Sequence, residues 1–237
     1  MTSYSKQRTG TSRIPPEKDL QVLYEDNHLI AVFKPAGLLT QGDSSGDISL
    51  MDVTKAWLKD KYGKPGQVFL GLVHRLDRSV SGIVLFGKTS KGASRLSEQF
   101  RTRSVQKIYW AVVEGNVSAP RGPLVHYLGG DGSRGVTVSE TEVPGLKKAI
   151  LNYSVLKTFP SKTLLEVELG TGRKHQIRAQ LGFIRHPIVG DAKYGAKTAF
   201  SEGAIALVAK RLVFHHPVRA EEQITIELPD ELCGGIS

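Results

Sequence analysis

Apolar residues in this chain fall into short runs set off by polar or glycine-proline breaks, a pattern that favours strands over long helices. QVLYEDNHLIAVFKPAG, residues 21–37, carries two such runs about the polar Glu25-Asp26-Asn27 and closes on Lys34-Pro35-Ala36-Gly37, which predicts a hairpin. DISLMDVTKAWLKDKYG, residues 47–63, instead spaces Leu50, Val53, Trp57 and Leu58 at helical intervals up to Gly63, which predicts a helix packed on a sheet. VFLGLVH (68–74) and GIVLFGK (82–88) read as buried strands, with the polar RLDRSVS between them as a loop that carries Asp77. A helix is expected over 89–104 and a β-branched strand over 105–115, followed by strands at 134–140, 148–157, 163–169, 204–214 and 223–228. After a turn at Gly170 and Gly172, Ile177, Leu181 and Ile184 share one helical face from Lys174 onward. Strands outnumber helices and do not alternate with them regularly, so the fold class is α+β with a mixed, mostly antiparallel sheet.

Composition narrows the class of partner. The 237 residues suffice for a well buried core, 40% are apolar and 23% charged, and no apolar run reaches the 18 residues of a membrane span. The formal charge of +9, from 32 Lys and Arg against 23 Asp and Glu, favours a polyanion without naming one. A single cysteine, Cys233, cannot form an internal disulfide and no secretory apolar segment opens the chain, so the expected setting is cytoplasmic and membrane-free. Residues 1–18, Ser/Thr-rich with Lys6, Arg8 and Arg13 and no acid before Glu17, are expected to form a flexible basic arm, with an organellar presequence as the second reading. Residues 19–237 then form one domain, expected to act as a monomer.

Gly82 to Thr89 spells G-x-x-x-x-G-K-T, the P-loop pattern, but its variable positions are Ile83, Val84, Leu85 and Phe86. Such residues suit the interior of a strand and not a flexible loop whose backbone N–H groups cradle phosphates. His74-Arg75-Leu76-Asp77 resembles a kinase catalytic loop without the Asp-Phe-Gly that must follow, and Gly170-Thr171-Gly172 starts a dinucleotide fingerprint whose third glycine position is His175. His215-His216-Pro217 lacks a plausible carboxylate or cysteine companion for a metal, so satisfied structural histidines are expected there.

Two segments remain. One is the HRLD of residues 74–77, and the other is GTGRKHQIRAQLGFIRHPIVGDAKYG, residues 170–195, which gathers Arg173, Lys174, Arg178 and Arg185 in what would otherwise pass for a solvated basic helix. Together with KPAGL at 34–38 and KIYWAVVEG at 107–115 they resemble, in order and separation, the motifs of the RluA family of RNA pseudouridine synthases, over residues 20–229. The resemblance implies a pseudouridine synthase fold with the active cleft across its central sheet, conversion of uridine in structured ribosomal or transfer RNA to pseudouridine, and no cofactor or metal. It implies that Asp77 is the catalytic aspartate, that Arg178 is its cation, that Tyr109 packs on the target base and that Arg75 approaches the space left by the flipped nucleotide. His74, Lys107, Arg173, Lys174, His175 and Gln176 are expected to contact RNA beside them.

The chemistry suits these residue types. Breaking the N1–C1′ bond, turning the uracil and joining C5 to C1′ leaves the electron count unchanged, so one carboxylate suffices, either as nucleophile or as base toward a sugar proton. A nearby guanidinium keeps that carboxylate ionised in a desolvated cleft. Flipping a stacked base costs a few kcal/mol, and stacking on an aromatic ring returns about 1–3 kcal/mol per base. Phe33, Val80 and Ala179-Gln180 depart from the usual motif letters, which bears on subfamily and substrate but removes none of Asp77, Tyr109 or Arg178. Two other functions compete: a catalytically silent RNA-binding protein on the same fold, and an NTPase that uses Lys88.

Overall fold

The computed structural model describes residues 20–132 and 135–236; the arm expected at 1–18 lies outside the described residues. The hairpin read from residues 21–37 forms as β1 (Val22–Glu25) and β2 (Leu29–Lys34), an antiparallel pair. Helix α1 (Leu50–Lys61) begins with a capping box in which Ser49 and Asp52 satisfy each other's backbone N–H groups. After the two-residue β3 (Gly71–Leu72) come β4 (Ser81–Gly87), α2 (Ser90–Thr102) and β5 (Gln106–Glu114). Then follow β6 (Arg121–Gly132), β7 (Gly135–Ser139), β8 (Lys147–Phe159), β9 (Lys162–Leu169), α3 (Gln176–Phe183), β10 (Leu207–His215) and β11 (Gln223–Glu227).

These strands form one sheet in the order β1-β2-β4-β10-β5-β9-β8-β6-β7, with β3 on β4 and β11 on β10. Every pairing is antiparallel except that of β10 with β4. The α+β expectation therefore holds, and the pseudo-P-loop is the interior of β4. Ile83, Val84, Leu85 and Phe86 have no exposed surface, a burial that stabilises the fold by about 1.5–3 kcal/mol per side chain. Lys88 is fixed beside it, its Nζ 2.5 Å from Glu25 Oε1 and 2.6 Å from the Asp26 carbonyl, where it closes the β1–β2 turn and could hold no phosphate.

Three expectations need correction. Residues 68–74 are not a full strand: only Gly71 and Leu72 pair with β4, and Phe69 stands half exposed. The chain leaves the sheet there because β10 takes over the same edge of β4 farther along, at Ser81 and Gly82. Strand β6 was not foreseen, because Gly122-Pro123 and Gly129-Gly130 break up its apolar pattern. Finally, the helix expected from Lys174 to Ile184 is shorter at both ends. It starts at Gln176, its residues up to Leu181 are buried, and Arg178 is the one cation of the four that lies on it.

The switch of partners along β4 makes the loop that carries Asp77. Between Phe86, which pairs Leu72 of β3, and Gly82, which pairs Ala209 of β10, the edge of β4 has no strand beside it, and residues 73–80 bulge out of the sheet. Within the gap the Leu85 N–H donates to His74 Nε2 at 2.9 Å, so an imidazole replaces the missing backbone acceptor. At the other end β4 and β10 approach so closely that a Cβ on Gly82 would lie 2.4 Å from the Ala209 nitrogen, at a backbone φ of +123°.

Candidate active site

Asp77 stands on this loop, and the loop is fixed from both sides. Thr40 Oγ1 donates to the Leu76 carbonyl at 2.9 Å and accepts from the Leu76 N–H at 3.1 Å. Gly37, left-handed at φ +86°, donates its N–H to the Arg78 carbonyl at 2.7 Å, and the Arg78 Nε returns a bond to the Gly37 carbonyl. Lys34 is wholly buried, with its Nζ donating to the carbonyls of Pro35, Leu38 and Arg78. Burial pulls its amine down to about 7 against the opposing pull of Asp77. The KPAGL segment and Thr40 thus form a cradle for the loop.

Arg178 reaches the same carboxylate from α3, 101 residues away in sequence. Its Nη1 donates to Asp77 Oδ2 at 3.0 Å, while Nε and Nη2 form a two-pronged pair with Asp191 at 2.7 and 2.9 Å. Burial alone would lower the proton affinity of this guanidinium, but the two carboxylates outweigh it and the net shift is upward. The carboxylates differ in access. The Asp77 side chain is 25% exposed and that of Asp191 is 1% exposed, so only Asp77 can meet a substrate and Asp191 can only aim Arg178. Asp191 itself is carried by residues 187–191, which are held against β5 through the Val189 N–H to Val112 carbonyl bond and the Ile188 bridge to Val113.

Tyr109 lies on β5 between Val167 of β9 and Ala209 of β10, 8% exposed, at the floor of the cleft. Burial and the nearby Asp77 charge push its hydroxyl well above the usual phenol range, so the ring is present as a neutral phenol and not as an anionic base. Arg75, Asp77, Tyr109, Arg173, His175 and Arg178 line a cavity of about 80 Å³, a few times the roughly 30 Å³ share of a liquid water. A larger cavity of about 520 Å³ lies between α2 and the 215–220 turn. Its His216 is committed to Asp26 at 2.7 Å and its Glu98 to Arg101 at 2.8 Å. Among the described residues no three His, Cys, Asp or Glu side chains group as metal ligands.

The other expected site residues divide. Arg75 is exposed at the cavity rim, Lys174 is exposed nearby, and Arg173 is half buried with its Nε on the Lys148 carbonyl. His175 has a left-handed backbone at φ +53°, with Nε2 3.6 Å from Asp77 Oδ2 and Nδ1 2.9 Å from the Tyr194 hydroxyl. Burial lowers its proton affinity more than Asp77 raises it, and Arg178, Lys193 and Lys174 add to the depression. Gln176 is corrected to a structural part, and the Nε2 side of His74 is tied up in the fold as well. The His74 ring stacks on Phe100 and caps β4, and burial takes it down to about 3. Gln176 is buried, its amide oxygen accepting from Thr171 Oγ1 and the Arg173 N–H and its nitrogen donating to the Ile150 carbonyl, so no polar group is left for RNA. Lys107 is buried on the Tyr109 face of β5.

Sequence reasoning missed Asp191, Tyr194, Thr40 and the role of Lys34. Asp191 and Tyr194 lie inside the GDAKYG segment already singled out, yet nothing in the spacing ties Asp191 to Arg178. The Tyr194 ring lies 5.2 Å from the Arg178 guanidinium, and its hydroxyl accepts from the Val136 N–H, joining β7 to the site.

Comparison with known proteins gives the family and the fold. Residues 28–182 match the family described as RNA pseudouridylate synthase. The ribosomal large subunit pseudouridine synthase D of Xylella fastidiosa is 34% identical over 94% of this chain and 70% of its own. The tRNA pseudouridine synthase C of Pasteurella multocida is 34% identical over 92% of this chain and 91% of its own. The solved structure of human RNA pseudouridylate synthase domain containing 4 superposes with a TM-score of 0.76 at 26% identity, covering 91% of this chain and 92% of that one. With its motifs, its sheet and its relatives in agreement, the chain belongs to the RNA pseudouridylate synthase family, in the RluA branch that its motifs resemble.

Proposed function

We propose that this enzyme isomerises selected uridines of structured ribosomal or transfer RNA, with Asp77 as the reacting carboxylate, Arg178 as the cation that pairs with it and Tyr109 as the surface on which the flipped uracil rests. The observation that carries the reading is the inequality of the two carboxylates on one guanidinium: Asp77 alone opens to the cavity. Asp77 either attacks the ribose-uracil unit or removes a sugar proton; in both routes the N1–C1′ bond breaks and C5 joins C1′. C5 then loses its proton and N1 gains one, so atoms and electrons balance. No second carboxylic acid needs to protonate a departing base, since the uracil stays in the cavity and is reattached.

Arg75 and Arg173 at the rim would meet the strand on either side of the extruded nucleotide, and residues 19–237 would recognise RNA as one catalytic unit. The named substrates of the relatives, ribosomal RNA in one case and transfer RNA in the other, support an RNA of defined fold. The charge of +9 and the single cysteine fit a cytoplasmic setting, and among the described residues no helix is long and apolar enough to cross a membrane. Mapping pseudouridines across the transcriptome with and without this gene tests the function: one or a few ribosomal or transfer RNA positions should lose the modification. An unchanged map, with purified enzyme inactive on RNA from the deletion strain, would refute it.

A further inference from the structure

Lys107 carries a buried positive charge that the site described so far does not use. The residue is 8% exposed, and among the described residues its ammonium has neither a carboxylate nor a hydrogen-bond acceptor. Such a charge opposes folding unless an anion arrives to neutralise it. It is not one of the sealed polar atoms without partners, which are His28 Nδ1, Trp110 Nε1 and Gln180 Oε1, so its Nζ reaches open space. Lys107 precedes Tyr109 by two residues on one strand, and the two side chains therefore leave the same face of the sheet.

Two further donors stand on the elements around it, at the C-terminal end of α2 and on the loop packed against that helix. Because the Leu85 N–H can only donate, His74 Nε2 must be the unprotonated nitrogen, and the imidazole carries its proton on Nδ1, for which the described residues offer no acceptor. The His74 ring stacks on Phe100 at 4.6 Å between centroids, three residues before Arg103, whose left-handed backbone ends α2. Arg103 is exposed and, among the described residues, without an acidic partner. The groups lie close enough to act on one another: after burial, Arg103 is the next cause of the lowered proton affinity of Lys107, and Lys107 the next cause for His74.

We propose that Lys107, the Nδ1–H of His74 and the Arg103 guanidinium form a seat for one phosphodiester of the RNA substrate, next to the floor that Tyr109 gives the target base. This rests on the reading of the chain as an enzyme acting on RNA. A buried cation, a neutral N–H and a planar guanidinium without an anion of their own suit a phosphate, which takes several charge-assisted hydrogen bonds at once. A polynucleotide in the cleft supplies that anion beside the flipped base.

The test uses the Asp77→Asn protein, so that RNA binds without turning over, and reads affinity across a salt series for bulk transfer RNA and for ribosomal RNA fragments from cells lacking the gene. Lys107→Met in this background should lower the slope of log affinity against log salt by about 0.7–0.9, the share of one phosphate, and Arg103→Gln should also lower it. Lys107→Arg should retain the slope. In the free protein Lys107→Met should raise the melting temperature, since it removes an unneutralised charge; a structural lysine would give a fall. An unchanged slope in both variants, or a lower melting temperature of Lys107→Met with the slope intact, overturns the proposal. A Lys107-dependent slope in a protein whose intact Asp77 form makes no pseudouridine would support the seat and refute the enzyme assignment, so the two failures are distinguishable.

Discussion

Asp77 and Asp191 share one guanidinium, and exposure decides what each can do. Under the proposed function Asp77→Asn removes the reacting carboxylate, while Asp191→Asn removes only the group that aims Arg178. Misplacing a catalytic group by about 1 Å costs on the order of a hundredfold in rate, so Asp191→Asn should lower kcat by about that factor with the affinity for RNA kept, as single-turnover kinetics would read. Asp191→Ala should also cost about 3–5 kcal/mol of stability in denaturant, the usual penalty for a buried charge that loses its partner. His74 gives a pH-dependent expectation. Its folded value near 3 lies below the ordinary 6.5, so from pH 6.5 down to about 3 the unfolded chain binds a proton that the folded chain refuses, and stability falls over that window. His74→Gln keeps an acceptor for the Leu85 N–H but does not titrate, and its acid limb should be flatter by one proton; coincident limbs would exclude the assignment. Asp77, Tyr109 and Arg178 were legible because they sit inside recognisable motifs. Asp191 was not, since its meaning lies in a side-chain pair across 13 residues and a change of element.

Among the elements, the Asp77 loop owes its shape to two strands that share one edge of β4. Gly82 allows it: a methyl group there would meet the backbone of Ala209, so Gly82→Ala should destabilise the fold by at least about 1–3 kcal/mol and loosen Asp77, lowering both melting temperature and turnover. Thr40→Val removes two hydrogen bonds to Leu76 at nearly constant volume. At about 0.5–1.5 kcal/mol per bond it should cost about 1–3 kcal/mol, with a drop in kcat larger than any rise in KM. Most elements were legible from apolar periodicity, β4 above all, and that reading already separated a strand from a P-loop. Strand β6 was hidden by its glycines and proline, and residues 68–74 misled because an apolar run of that length pairs only if an edge of the sheet is free along its whole length.

For the whole molecule, the order of the sheet could not be read from the chain. The placement of β10 between β4 and β5 comes from contacts separated by about a hundred residues, and periodicity reports only which faces are apolar. That placement brings Tyr109, Asp77 and Arg178 to one cleft. The net charge of +9 belongs to the same scale and predicts RNA affinity that falls linearly in log salt, with a slope of several phosphates. The central claim is that Asp77 performs the isomerisation while the rest of the cleft binds RNA. It is tested most directly by incubating wild-type and Asp77→Asn proteins with RNA from cells lacking the gene, then measuring pseudouridine formed and RNA bound. The account predicts pseudouridine at defined positions with the wild type, none with Asp77→Asn, and similar binding by both; turnover by the variant, or binding lost along with turnover, would contradict it.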